Sequence, residues 1–185
     1  MKTYFIASGT SAELEEYIIS FAADGINIFF TGPSADDAYV LEKKISEKGA
    51  YAYYYPLKEG YGFPDLADAV ISCAEKLGGI DVLLFGGWFR CETELFLDIS
   101  EKDFSSYTNM LVDFFCLCKC ALPYMLGRSD AEIMLPVEEY PHLNIGRAMY
   151  RSACMAMIKN MAHEFKSYGV EVRSIPLHVK YNSMS

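Results

Sequence analysis

The sequence predicts an α/β protein built on one doubly wound parallel sheet of six strands, with order 3-2-1-4-5-6 as the leading arrangement. Three observations lead there. Short β-rich runs alternate with amphipathic helical stretches along the whole chain. Residues 80–85 are almost continuously apolar, as expected of a strand covered on both faces. Right-handed crossovers between parallel strands then produce a doubly wound sheet.

Taken in order, residues 2–7 read as a strand. Residues 12–24 read as a helix, with Leu14, Tyr17, Ile18 and Phe21 at helical spacing and Gly25 closing it. Residues 26–31 form the second strand. Ser34 is placed to cap a helix over 35–48, which Gly49 ends. Residues 51–55 form a third strand, whose tyrosines are ordinary β-formers. Gly60, Gly62 and Pro64 mark a loop before a helix over 65–77, ended by Gly78-Gly79. The fourth strand is 80–85. A long helix follows over 100–125, then a strand over 132–135. A second long helix covers 146–168, closed by Gly169, and 170–175 is the sixth strand. The tail, 176–185, is unassigned. No linker or repeat interrupts residues 1–185, which read as one domain.

The chain has 185 residues, enough to bury a substantial core, and is 52% hydrophobic and 22% charged. No apolar run approaches the roughly 18–20 residues that span a bilayer. The first residues turn polar too early for a signal peptide, so a cytoplasmic protein is expected. A net charge of −9 disfavours nucleic-acid binding, which needs a basic footprint. Of six cysteines, Cys116, Cys118 and Cys120 suggest a metal or redox run. On a helix, however, Cys118 points about 200° away from Cys116, so the three cannot converge. His142, His163 and His178 are scattered, and no metal is expected.

Several segments resemble the signposts of the short-chain dehydrogenase/reductase (SDR) family. Ile80-Asp81-Val82-Leu83-Leu84 is similar to its fourth strand. Ile99-Ser100-Glu101-Lys102-Asp103-Phe104, followed by Phe115 to Met125, resembles its helix 4. Met161 to Arg173 resembles the end of helix 5 running into strand 6. The resemblance implies a Rossmann-type sheet and supplies motifs to test position by position.

Those motifs are largely absent. Of the three glycines expected after strand 1, the segment Ser8-Gly9-Thr10-Ser11 keeps only Gly9. Glu13, Glu15 and Glu16 follow in the first helical turn and would repel a dinucleotide phosphate. After strand 2, Gly32-Pro33-Ser34 offers no cofactor-selecting charge, and Asp36 and Asp37 read as helix N-terminal acids. The family's Asn-Ala-Gly corresponds to Gly86-Gly87-Trp88. Its catalytic Tyr and Lys positions fall on Arg147 and Arg151, its Ser near Glu138, and its helix 4 Asn on Met110, with Asn109 one residue away. Arginine stays protonated and cannot shuttle a proton near neutral pH. Tyr150 lies three residues out of register and has Cys154, not Lys, four residues on. Family members also continue beyond strand 6, where this sequence retains only Pro176 of a Pro-Gly, so a truncated sheet without a substrate lid is expected.

The implied function is therefore a non-catalytic SDR-like subunit with no bound cofactor. Helices 4 and 5, the family's main dimer interface, carry surplus apolar residues. One helix 4 stripe is Phe104, Tyr107, Leu111, Phe114, Phe115, Cys118 and Leu122; a second set is Met110, Leu117, Cys120 and Tyr124. Helix 5 adds Cys154, Ile158, Met161 and Phe165, broadened by Met149, Ala153, Ala156 and Met157. An interface of Tyr107, Met110, Phe114, Leu117, Met149, Ala153 and Met157 is expected, against an active SDR subunit or a second copy. Two alternatives stay open: an NAD(P)-dependent enzyme with a site rebuilt from Tyr150, Glu138 or Arg147, and a small-molecule sensor using the old cleft.

Overall fold

The computed structural model describes residues 1–58, 60–86, 95–138 and 144–177, apart from the side chains of Ala12, Glu13 and Glu138. The strands are β1 (Lys2–Ala7), β2 (Ile26–Gly32), β3 (Tyr51–Pro56), β4 (Val82–Phe85), β5 (Ala131–Glu138) and β6 (Val170–Leu177). The helices among these residues are α1 (Ala12–Phe21), α2 (Ala35–Glu47), α3 (Phe63–Leu77), α4 (Glu101–Met125) and α5 (Ile145–Phe165). The sheet runs β3-β2-β1-β4-β5-β6 with every pairing parallel, the order the sequence predicts.

Alternation along each strand builds two cores. Phe5, Phe29, Leu83 and Ile133 face α3, α4 and α5. Ile6, Ile28, Phe30 and Leu84 face α1 and α2. The sheet's amino-terminal edge is held by Asp81. Its carboxylate accepts from Thr3 N at 2.7 Å and from Arg128 Nε and Nη2 at 2.5 and 3.1 Å. Burial works to raise the Asp81 pKa, but the Arg128 guanidinium and the Thr3 N–H outweigh it and hold the carboxyl below its ordinary range.

Several boundaries move for identifiable reasons. α1 ends at Phe21 rather than residue 24, because Ala22 is already extended and Ala23 accepts a turn bond from Ile26 N. α3 starts at Phe63, where the Asp65 carboxylate accepts from Gly62 N at 2.8 Å. α5 starts at Ile145 because Asn144 caps it, accepting from Arg147 N at 2.9 Å. Residues 166–168 are a 3₁₀ turn and not part of that helix. β5 and β6 pass through prolines that read as stops. β4 pairs only Glu132 to Met134 of β5, so Pro136 withholds its missing N–H from no ladder on that side. Pro176 lies on β6, which pairs with β5 alone among the described residues.

The largest correction concerns α4. Tyr107, Met110, Phe114 and Leu117 do not face outward; all four are buried in the chain's own core, with Cys118, Ala121 and Met125. Steps of three and four residues make this one stripe, which the sequence reading divides between two faces. Gly146 shows how tightly Tyr107 is held: a Cβ there would overlap the Tyr107 ring. The outer side of α4 carries Phe104, Val112 and Phe115 instead. On α5, Met149, Ala153 and Met157 are partly exposed.

Candidate functional site

β1 leads left to β2 and β4 leads right to β5, so a crevice opens where their carboxyl ends diverge. A cavity of about 590 Å³ lies there, within the range of small-molecule sites. Its walls include Leu57, Phe85 and Met110 on the apolar side and Lys58, Tyr61 and Asp113 on the polar side.

The turn from β1 into α1 forms the back of the crevice. Ser8 takes a left-handed conformation, φ 58°, and its N–H donates to Thr31 Oγ1 at 3.0 Å, while Gly9 N donates to Thr31 O at 2.8 Å. Gly9 is required for packing, because an added Cβ would lie 2.8 Å from Phe30 Cβ. Thr10 stands over Gly32, where a Cβ would overlap its side chain, and Thr10 Oγ1 is buried with no hydrogen-bond partner among the described residues. Thr10 thus fills the gap between the turn and the end of β2. Ser11 is buried at the N-cap of α1 without a side-chain cap bond. Glu15 is engaged by Lys44 of α2 at 2.5 Å. Asp36 and Asp37 lie in the first turn of α2, where Ser34 Oγ accepts from Asp37 N at 3.2 Å. Gly86 ends β4 because Leu14 of α1 occupies the space a side chain would need. Gly87 and Trp88 lie outside the described residues, as does the Glu138 side chain.

Three residues of the cavity are missed by the sequence reading. Tyr61 reaches in from the loop after β3, Asp113 from α4, and Lys58 sits beside Tyr61. The Tyr61 hydroxyl interacts with the Asp113 carboxyl and the Ser8 side chain; burial first, then Asp113, pushes its pKa up, with Ser8 opposing. Burial likewise raises the Asp113 carboxyl above the ordinary carboxylate range, against the pull of Tyr61. The signal was present: Asp113 is the one acid inside the run Leu111-Val112-Asp113-Phe114-Phe115. Asn109 and Met110 both border the cavity, and Met110 is also part of the core.

α5 divides the catalytic positions implied by the resemblance. Tyr150 is buried, and its hydroxyl pKa is driven well up by burial first, then by Cys154, Asp113 and Tyr61. Arg147 is half-buried and engaged, and Arg151 is exposed. Cys118 is buried while Cys116 and Cys120 are partly exposed, so the three thiols diverge. Among the described residues no group of three His, Cys, Asp or Glu side chains is placed to hold a metal, and no helix is long and apolar enough to cross a membrane.

No family model and no curated protein matches the sequence. Solved structures do match. A short-chain dehydrogenase from Mycobacterium thermoresistibile superposes with a TM-score of 0.84 over 95% of this chain and 66% of its own, at 20% identity. A short-chain dehydrogenase/reductase from Serratia marcescens gives 0.81, with 95% and 73% covered, at 20% identity. A hydroxysteroid dehydrogenase from Escherichia coli gives 0.79, with 95% and 71% covered, at 21% identity. The chain therefore has the SDR fold and spans 66% of the length of the first of these proteins.

Proposed function

We propose that this chain is an SDR-fold subunit that does not itself carry out hydride transfer and that pairs through α4 and α5 with another subunit of the same fold. The observation that carries the reading is the state of Tyr150. A tyrosine that donates and recovers a proton needs its pKa drawn down toward the working pH. Tyr150 is buried, its pKa is driven up, and its neighbour one turn on is Cys154, a thiol whose pKa burial pushes to about 11. Arg147 and Arg151 stand at the positions that the resemblance gives to the family's Tyr and Lys. Thr10 over Gly32 adds to this, since a dinucleotide needs close backbone approach there. The pairing half of the reading rests on Phe104 and Phe115, large apolar side chains exposed along α4, and on Met155, exposed on α5.

Calorimetry of the full chain with NAD and with NADP tests the first half. No heat of binding is expected at millimolar cofactor; micromolar binding of either would overturn it. Light scattering at micromolar concentration tests the second, alone and with proteins co-purified from the native host. A monodisperse monomer in every case would overturn pairing.

A second reading is favoured by the cavity itself. An apolar wall facing Asp113 and Tyr61 suits a small-molecule sensor that binds without turnover. A thermal-shift screen, with Asp113→Leu as the control, would separate it from the first.

A further inference from the structure

The α4–α5 face differs in charge from the rest of the chain. The protein carries a net charge of −9. Yet between Ile145 and His163, α5 contains Arg147, Arg151 and Lys159 and no acid. Arg147 is half-buried and engaged, whereas Arg151 and Lys159 are exposed. They lie one turn before and one turn after Met155, each about 40° from it around the helix. Met155 is 42% exposed, and Ser152 is exposed about 60° from it round the helix. Glu164 lies about 180° round the helix from Met155 and cannot neutralise this strip. The neighbouring helix does not neutralise it either. Asp103 is taken up in the Ser100 cap, with Ser100 Oγ 2.6 Å from its carboxylate, and Asp113 turns to Tyr61. Glu101 is at the far N-terminus beside Lys102, and Lys119 adds a further exposed cation.

We infer that this face selects a partner whose matching helices are acidic, and that it disfavours a second copy of this chain. The inference rests on the pairing reading above and names the partner's chemistry. When two copies of one helix pack antiparallel across a two-fold axis, each position meets one whose number sums with it to a constant. An axis near Met155 sets Arg151 beside the other copy's Lys159. An axis at Arg151 sets it against the other copy's Arg151. With no acid on the strip, no antiparallel register brings opposite charges together. Like charges about 6 Å apart, in two symmetry-related pairs, weaken association roughly tenfold or more even in a water-like medium. An acidic strip in their place reverses the sign. A protein partner is favoured over nucleic acid or anionic lipid. The exposed cations are few; Lys119 lies over the Phe115 ring and Arg151 and Lys159 flank Met155, apolar surface for which a phosphate backbone has no use.

The test supplies the acid artificially, in the full chain. An Arg151→Glu/Lys159→Glu copy is mixed with wild type and compared with wild type alone by sedimentation equilibrium at low salt. The mixed pair is expected to associate at least tenfold more tightly than wild type with itself, with the gap narrowing at about 0.5 M salt. An Arg151→Gln/Lys159→Gln chain, its repulsion removed, is expected to self-associate more tightly than wild type. Wild-type homodimers as tight as the mixed pair would overturn the selection and leave pairing intact. Absence of association in the mixed pair, the neutral chain and wild type would overturn pairing, and this inference with it. Wild type binding phosphatidylserine vesicles, with that binding lost on charge reversal and no gain in the mixed pair, would overturn it in favour of a lipid surface.

Discussion

Phe114 and Phe115 are adjacent on α4 and differ in what they touch, so truncating each separates fold from assembly. Phe114 is fully buried and packs 5.6 Å, ring to ring, from Phe85 at the end of β4. Phe114→Ala leaves a cavity in the core beneath the crevice, at a cost of about 3–5 kcal/mol. For a chain of this size that lowers Tm by roughly 6–20 °C. Phe115 is 55% exposed and touches Lys119 on its own helix. Phe115→Ala gives up part of a half-buried ring but gains a better helix former, so monomer stability should change by about 1 kcal/mol at most. Its effect appears on pairing. An aromatic side chain has about 200 Å² to bury, of which a little over half is still open at Phe115. At roughly 25 cal/mol per Å² that is about 2.5 kcal/mol per copy, close to a hundredfold in Kd. Urea denaturation at low protein concentration reads the first quantity. Sedimentation of wild type against its charge-reversed copy, with and without Phe115→Ala, reads the second. If Phe115→Ala destabilised the monomer as much as Phe114→Ala, or left the mixed pair unweakened, α4 would not divide into a core face and a docking face.

Two further outcomes follow from buried groups. Asp81 has a folded pKa below its unfolded value, so its contribution is fully present above the unfolded pKa and is lost as pH falls through the folded one. Asp81→Asn should therefore cost about 2–3 kcal/mol at pH 7, and the gap to wild type should close below about pH 4; a gap independent of pH in urea melts would refute the assignment. Burial pushes the Cys73 thiol to about 12 and Cys154 to about 11, and raises Cys118 further still. In native protein at pH 8, site-resolved mass spectrometry after brief iodoacetamide treatment should find Cys116 and Cys120 modified and those three spared; early labelling of Cys154 would contradict its burial.

The fold was legible because its signals are local and repeated. The apolar run over 80–85 and the alternation Phe5/Ile6 and Phe29/Phe30 fix which strands are covered on both faces. Gly25, Gly49, Gly78 and Gly169 all adopt positive φ at the turns where the sequence places them. Boundaries were less legible where a residue has two roles. Pro136 and Pro176 read as strand ends on intrinsic preference, yet both lie where a neighbouring strand asks for no N–H. Asn144 is a good cap that the sequence reading passed over, although its carbonyl oxygen is what starts α5.

The site was legible only in part, because losses can be read from a motif and gains cannot. That the turn keeps only Gly9 is visible in the sequence; that the Thr10 side chain closes against Gly32 depends on where β2 ends. Tyr61 and Asp113 come from segments 52 residues apart and meet only because α4 crosses beside the loop after β3. The α4 faces were misassigned for a related reason. On a helix apolar over much of its circumference, periodicity allows more than one rotation, and the choice falls to tertiary contact, here the Tyr107 ring against Gly146 and the Phe114 ring against Phe85. Once those contacts set the rotation, Met110 and Leu117 must enter the core and Val112 and Phe115 must leave it. A charge at Met110 therefore tests the fold, and the assembly is tested at Phe115, Arg151 and Lys159.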